Sequence, residues 1–460
     1  MKTLYKLIGF IAVLVLTISC RKTETVEADL SKFNPDNPTT NTLLDQWLKS
    51  SFLDPYNIEV IYRYNRYYHG NTANVVPSNL NNIQPTMQIV LDGFISPYLK
   101  VAGNNFTKTY MPKEWVLFGS YSYADANDPG VAGTAAAGRR ITLYGLNDYQ
   151  PLPAGQFYAW DRHRIMHHEF GHILNQIIPI PTDWEAISKG LYKQPYKDTP
   201  IATAHANGFV TSYASGQPTE DYAETISWAL INGQAWYDYW ANTSSAEGKN
   251  RLIQKELNVI NYYKSLGINF KDLQKEVQLY MKNKLNLNES RFSYWLGQKL
   301  YSSIMINLDE DVYKTYGIST DFTTVYEGVR TGVAAVGNAN RRLNYIRLDF
   351  PTATTMAVNV NYTSTAGSVS DAKYAFNVAI NQTTGEVKFT NGTAGGTDAP
   401  WVANANTIKP GVQVFLDYLL NNTFVADWLP ANINGDNYMK YGGFYLKATP
   451  GNYFYGQLAY

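Results

Sequence analysis

His168-Glu169-Phe170-Gly171-His172 is the stretch that decides the fold, and four of the six histidines of the chain fall between His163 and His172. Residues four apart lie on one face of a helix, so His168 and His172 can hold one metal ion together. Glu169, beside the first histidine, can then reach a water molecule on that metal and take its proton. This pattern is typical of zinc hydrolases. The sequence therefore predicts a helix over residues 161–177 in which both histidines bind zinc and Glu169 is catalytic.

A catalytic zinc ion usually takes three protein ligands and leaves one position for water, so a third ligand is expected elsewhere in the chain. The candidates are Glu220, Asp221, Glu224 and His205. Glu220 and Glu224 lie four apart on a predicted helix over residues 218–234, whose first turn accepts Pro218. One carboxylate could bind the metal while the other accepts a hydrogen bond from a ligand histidine. The alternative is a solvated acidic helix start, which the helix dipole favours.

The segment from His168 to Glu224 resembles the glutamate zincins (gluzincins), such as the thermolysin and anthrax lethal factor groups. In these families a second helix after HExxH supplies a glutamate ligand, and an acidic residue four positions later supports a histidine. The resemblance implies that Glu220 is the third zinc ligand and that Glu224 supports a ligand histidine. In the lethal factor group a tyrosine precedes the ligand glutamate by seven residues, the position that Tyr213 holds here. By this resemblance Tyr213 is catalytic and donates a hydrogen bond to the developing oxyanion.

The start of the chain, residues 1–19, resembles the signal peptide of a bacterial lipoprotein. Lys2 and Lys6 precede an apolar stretch, residues 7–16, that is too short for a good membrane span. No later stretch is apolar enough to span a bilayer. Cys20, the only cysteine, is the predicted lipidation site; the alternative is an ordinary signal peptide with an incidental cysteine. Residues 20–41 are polar and predict a flexible tether.

Together with that signal, three motifs resemble the zinc metallohydrolase lipoproteins of Bacteroidetes: Pro55-Tyr56-Asn57-Ile58, the stretch 168–172 and Glu220-Asp221-Tyr222-Ala223-Glu224. Members of that family accompany outer-membrane nutrient import systems made of a TonB-dependent porin and a substrate-binding lipoprotein. The resemblance implies an outer-membrane lipoprotein that acts on a peptide or protein substrate and has these two proteins as partners. Arg21 and Lys22 replace the acidic residues that usually direct export to the surface, so both faces of the outer membrane stay open.

Charge and composition limit the alternatives. Lys plus Arg and Asp plus Glu each number 38, and this balance argues against a nucleic-acid-binding surface. The chain contains 37 tyrosines and 10 tryptophans, which suit β-rich cores or, alternatively, platforms that stack on carbohydrate.

The pattern of apolar residues predicts an α+β fold with two domains. By the resemblance to the glutamate zincins, the first domain, residues 42–335, is a zincin-like catalytic domain with a mixed sheet and active-site helices. A β-rich domain of unknown role covers residues 340–460. Within the first domain, residues 125–138 predict a loop, and residues 140–144 predict either the substrate-pairing edge strand or a core strand. Residues 293–306 predict a helix. Beyond 340, strands are predicted over 343–350, 356–362, 374–381, 385–390 and 442–448, and a helix over 412–420.

These patterns predict a zinc-dependent metallopeptidase. Glu169 would act as the general base, zinc would activate the attacking water, and Tyr213 and zinc would stabilise the oxyanion. The alternative is a catalytically silent zincin fold that binds peptide or glycan as a lipoprotein of an import complex.

Overall fold

The computed structural model describes residues 41–125, 127–128 and 130–460. The predicted signal peptide, the lipidation site Cys20, Arg21, Lys22 and the tether up to residue 40 lie outside the described residues. The chain divides into two compact units, residues 1–50 and 51–460. The described part of the first unit contains a short helix from Leu43, which starts with a reciprocal pair of hydrogen bonds between Thr42 and Asp45.

Helices make up most of the described chain between residues 41 and 300. The α-helices are α1 Leu43–Leu48, α2 Asp54–Tyr56, α3 Leu80–Val90, α4 Ser96–Tyr110, α5 Gln156–Ile177, α6 Trp184–Ile187, α7 Ile201–Ala206, α8 Pro218–Asn242, α9 Ala246–Ser265, α10 Phe270–Asn283, α11 Phe292–Gly297, α12 Asp311–Tyr316, α13 Thr320–Ala335 and α14 Ala403–Leu420. Among the described residues, we find no helix whose length and apolar character would let it cross a lipid bilayer.

A four-stranded sheet lies beside the motif helix α5. Its strands are β1 Glu59–Ile61, β2 Glu114–Leu117, β3 Gly133–Ala136 and β4 Arg140–Leu143. Their order is β1-β2-β4-β3, with β3 antiparallel and the other neighbours parallel. The loop prediction for 125–138 is therefore wrong at β3, and β4 is an interior strand rather than the edge. The edge strand is short, and three of its four residues are Gly or Ala, which are depleted in strands.

Helix α5 packs against α8, and a glycine allows the two helices to approach closely. A Cβ atom on Gly171 would lie 3.4 Å from the Cα atom of Ala223 in α8. The opposite side of α5 is buried among aromatic rings; for example, Phe170 packs edge-to-face on Phe94 and on Tyr98. The two segments that carry the candidate ligands are thus held together by packing.

Helix α8 continues beyond its predicted end at residue 234. Gly233 has a positive φ of 79°, so the helix bends there and resumes. Gln274 donates to the carbonyl of Ala229 and Gln278 to that of Leu230, each at 2.8 Å. These two amides from α10 satisfy carbonyls next to the bend.

The rest of the chain forms a closed antiparallel barrel. Its strands are β5 Ser303–Ile306, β6 Arg342–Thr352, β7 Thr355–Thr363, β8 Val369–Ile380, β9 Glu386–Asn391, β10 Thr423–Asp427, β11 Tyr441–Leu446 and β12 Tyr453–Ala459. Their order around the barrel is β10-β11-β12-β5-β6-β7-β8-β9. Helices α13 and α14 pack with the barrel in one apolar core, and their backbones meet at Gly332 and Gly411. The predicted α+β class is confirmed.

The first strand of the barrel, β5, lies within residues 42–335, the range predicted as the catalytic domain. The helix predicted over 293–306 is wrong in its second half, because α11 ends at Gly297 and β5 follows. The predicted boundary near residue 340 thus falls inside the run of elements that build the barrel core. The division into two units does not cut the chain there, so the two-domain boundary stays a prediction.

Candidate metal centre

Two imidazole rings of α5 point their Nε2 atoms at one another. The Nε2 atoms of His168 and His172 lie 3.1 Å apart, and the ring centroids are 4.8 Å apart. Four residues correspond to about one helical turn, so both rings emerge from the same face. His168 is buried and His172 is half-buried, so the pair faces a cleft rather than open solvent.

The first turn of α8 brings a carboxylate to the same point. Glu220 Oε2 lies 3.1 Å from His168 Nε2 and 3.2 Å from His172 Nε2. Its other oxygen, Oε1, accepts a hydrogen bond of 3.1 Å from Gln217 Nε2. His168, His172 and Glu220 form a group of possible metal ligands whose donor atoms all lie within 4.8 Å of one another.

The three side chains fit a zinc ion. Zinc–ligand bonds of about 2.0–2.2 Å place neighbouring ligands of a tetrahedral site about 3.3–3.6 Å apart. The observed spacing of 3.1–3.2 Å between the donor atoms is close to that range. Two imidazole nitrogens and one carboxylate oxygen are also a donor set that catalytic zinc sites use.

Glu224 lies behind the cluster, on the outer side of His168. Its Oε1 atom lies 2.8 Å from His168 Nδ1. Its Oε2 atom accepts hydrogen bonds from Thr211 Oγ1 at 2.7 Å and from Trp228 Nε1 at 3.1 Å. Burial acts to raise the pKa of Glu224, but His168, Arg164 and Thr211 together outweigh it and the pKa is lowered. The charge of Glu224 beside Nδ1 favours a proton on that nitrogen of His168, which leaves Nε2 free to bind a metal.

The electrostatics of the cluster favour a positive charge at its centre. Burial acts to lower the pKa of His168, but the carboxylates of Glu220 and Glu224 outweigh it and raise the pKa to about 10. Burial acts to raise the pKa of Glu220, yet His168 and His172 bring it far below its usual value. A site that holds two carboxylates ionised around imidazole nitrogens is suited to bind a cation.

Glu169 faces the cavity beside the cluster. Burial raises the pKa of its carboxyl group, while His168, His172 and a backbone hydrogen bond from Ala135 in β3 oppose the rise. Glu169 and His172 line a cavity of about 490 Å³. The rest of its wall is formed by Ala135, Asn175, Gln176, Pro179, Ile180, Thr219 and Glu220. A larger groove, of about 990 Å³, lies between α9, the start of α10 and the C-terminal strand, and it contains none of the clustered side chains.

Tyr213 lies at the edge of the cluster, just before the turn Ala214–Gly216. It is 38% exposed, and its ring centroid is 5.9 Å from that of His168. Burial, followed by the charge of Glu220 and a hydrogen bond to that residue, raises the pKa of Tyr213. The phenol therefore keeps its proton at neutral pH and can act as a donor.

The remaining candidates lie away from the cluster. His205 stacks on Trp240, and its Nε2 atom lies 2.7 Å from the carbonyl oxygen of that residue. Asp221 is fully buried on another face of α8, where it pairs with Lys255 at 2.8 Å. Of the four candidates for a third ligand, Glu220 is therefore the one that the structure brings to both histidines.

Sequence reasoning did not identify the other contacts of this site. Thr211 and Trp228 bind Glu224, and β3 places Ala135 against Glu169. Trp228 follows Glu224 by four residues on the same helix, which is a signal that could have been used. Thr211 carries no pattern of its own.

Comparisons with known proteins found one matching family and one similar solved structure. A family described as "putative zinc-binding metallo-peptidase" matches residues 37–271, slightly more than half of the chain. A solved structure of a putative zinc-binding metallo-peptidase from Bacteroides caccae ATCC 43185 is 29% identical in sequence, covers 54% of this chain and 94% of its own, and has a TM-score of 0.44. None of the curated proteins compared matches the chain. The chain belongs to the family of putative zinc-binding metallo-peptidases.

Proposed function

We propose that this protein is a zinc-dependent hydrolase of the gluzincin type that cleaves peptide bonds. The observation that carries the proposal is the meeting of His168 and His172 with Glu220, which follows His172 by 48 residues in the chain. Glu169 lies beside them on the cavity wall. The family to which the chain belongs points to the same metal and the same class of reaction.

His168, His172 and Glu220 would hold the zinc ion, and Glu224 would fix the ring of His168. Zinc supplies Lewis acidity, which polarises a carbonyl oxygen and lowers the pKa of water. The carboxylate of Glu169 would take a proton from the attacking water and return it to the leaving amine. Its raised pKa suits it to both transfers, because the best proton carriers titrate closer to neutrality than an ordinary glutamate does.

Two further groups favour a peptide substrate. The hydroxyl of Tyr213 would donate a hydrogen bond to the oxyanion that develops as water adds to the carbonyl. The edge strand β3 lies along the cavity at Ala135, where an extended peptide could pair with its backbone.

The anchoring and the partners are proposed from sequence. Cys20 would carry the lipid, and the protein would sit in the outer membrane beside a TonB-dependent porin and its substrate-binding lipoprotein. The support is the lipoprotein-like start of the chain and the resemblance to lipoproteins of Bacteroidetes. Shaving of intact cells with a protease would separate a surface location from a periplasmic one.

Metal analysis with matched variants tests the proposal. The wild-type protein should carry about one zinc per chain, Glu220→Ala and His172→Ala should lose it, and the exposed control Glu185→Ala should keep it. Glu169→Gln should keep zinc and lose turnover of a mixed peptide library by at least about 100-fold, since it removes the general base. Zinc binding without turnover in the wild type would favour the silent binding protein. If Glu224→Ala lost zinc while Glu220→Ala kept it, the ligand assignment would be reversed.

A further inference from the structure

We propose that Thr211 is a positioning residue that sets the ligand His168 and the donor Tyr213 at the same time. The inference rests on the proposed function, because it concerns the same site. Thr211 precedes Tyr213 by two residues and contacts Glu224, which in turn contacts His168. The hydroxyl of Thr211 therefore lies between two parts of the site: the ligand His168 with its neighbour Glu224, and the donor Tyr213.

Thr211 acts on His168 through Glu224. This side chain is 2% exposed, so its charge needs several donors to be stable in the interior. Thr211 Oγ1 and Trp228 Nε1 both donate to Oε2, at 2.7 and 3.1 Å. With Oε2 occupied by two neutral donors, Oε1 lies 2.8 Å from His168 Nδ1 and 3.8 Å from the guanidinium of Arg164. Thr211 thus helps to fix the orientation of the imidazole that would bind zinc.

Thr211 acts on Tyr213 through the backbone of the turn that follows this tyrosine. The amide nitrogen of Ala214 donates to Thr211 Oγ1 at 3.0 Å. The turn then closes with hydrogen bonds from Ser215 to the carbonyl of Ser212 and from Gly216 to that of Tyr213. Because the hydroxyl anchors the first amide after Tyr213, it limits how far the phenol can move from the cluster.

Both functions of the hydroxyl are needed at once, and this restricts the residue type. A hydroxyl donates one hydrogen and accepts with its lone pairs, so Thr211 can bind a carboxylate and an amide together. Valine has the same shape but can do neither, whereas serine can do both. Trp228 Nε1 donates to Glu224, and its ring packs on Trp160 and Trp236 rather than on the turn that carries Tyr213. A change at Trp228 therefore acts on the support of Glu224 and His168 and leaves the anchor of that turn in place.

Zinc affinity is the first measurement, made by competition with the chromophoric chelator 4-(2-pyridylazo)resorcinol. Thr211→Val should weaken zinc binding about tenfold, since removal of such supporting partners typically costs 10–100-fold. Thr211→Ser should stay within about threefold of the wild type, because serine keeps the donor and acceptor. Thr225→Val is the matched control: Thr225 is buried next to Glu224, and its hydroxyl finds no hydrogen-bond partner in the described chain.

Hydrogen exchange of the segment 212–217 is the second measurement and does not depend on activity. Thr211→Val should increase exchange there, while Trp228→Phe should weaken zinc binding without that increase. If Thr211→Val matched Thr225→Val in both measurements, the inference would fail while the zinc site stood. If the wild-type protein bound no zinc, the inference and the proposed function would both be overturned.

Discussion

Replacing His163 with leucine should make the protein more resistant to acid. His163 is fully buried in α5, where its ring packs on Tyr280 with centroids 4.7 Å apart. Neither ring nitrogen has a hydrogen-bond partner in the part of the chain that the structure describes. Burial, followed by the nearby His167, holds the pKa of His163 well below its ordinary value of 6.5. The folded protein therefore keeps this ring neutral.

The sign and size of the effect follow from proton linkage. The unfolded chain takes up a proton on His163 below pH 6.5 and the folded chain does not, so the folded state loses stability as the pH falls below that value. The loss is about 1.4 kcal/mol per pH unit, or about 2 kcal/mol between pH 6.5 and 5.0. Leucine cannot titrate, so His163→Leu removes this loss. Near neutral pH the free energy of unfolding of His163→Leu should differ less from that of the wild type. The loss of two buried, unpaired ring nitrogens there offsets the imperfect packing of leucine.

Urea unfolding at pH 7.5 and pH 5.0 measures the difference, with a chelator present so that metal binding does not contribute. The stability of His163→Leu relative to wild type should rise by about 2 kcal/mol between the two pH values. The control is Met166→Leu, a buried change in the same helix that alters no titratable group; its difference from wild type should be the same at both pH values. Parallel loss of stability in the wild type and His163→Leu would refute the reasoning.

Two further substitutions test the packing around the site. Lys255→Met should destabilise the fold by about 3–5 kcal/mol in urea unfolding at pH 7.5, because it leaves the buried carboxylate of Asp221 without its cation. The double change Lys255→Met with Asp221→Leu should recover most of that loss. An equal loss of stability in the single and the double variant would contradict this account. Gly93→Ala should cost about 1–3 kcal/mol in the same assay, since its Cβ would lie 2.2 Å from the ring of His163 and 2.7 Å from Tyr280; unchanged stability would show that the two rings can move apart.

The core of the site could be predicted because its information is local. His168 and His172 are placed on one face by helical spacing alone, and Glu220 and Glu224 share a face for the same reason. The pairing of His172 with Glu220, 48 residues later in the chain, cannot be derived from spacing, and the resemblance to glutamate zincins is what predicts it. Contacts such as that of Thr211 depend on how a loop returns to a helix, so no periodic pattern reports them.

The fold was predicted less completely, and the errors share a physical cause. The missed strand β3 is a short edge strand, and three of its four residues are Gly or Ala, which are depleted in strands. Ser303–Ile306 falls within the helix predicted over 293–306, because a short apolar run fits both the helical and the strand period. Closure of the barrel also joins residues that are far apart in the sequence, because the last strand, β12, pairs with the first, β5, and Gln457 lies opposite Met305. Such pairings depend on tertiary structure that a local pattern does not contain.

Helix α8 joins the candidate metal centre to the barrel, and this gives the barrel a structural role. The first half of the helix presents Glu220 to the two histidines, and the bend at Gly233 then redirects the second half. That second half places Ala235 in the apolar core of the barrel, and Asp238 accepts a hydrogen bond from the hydroxyl of Tyr460 just beyond the last strand. The barrel therefore anchors the second half of α8, and the bend at Gly233 separates that half from the turn that carries Glu220. None of the barrel's residues contacts the cluster's three side chains in the described structure.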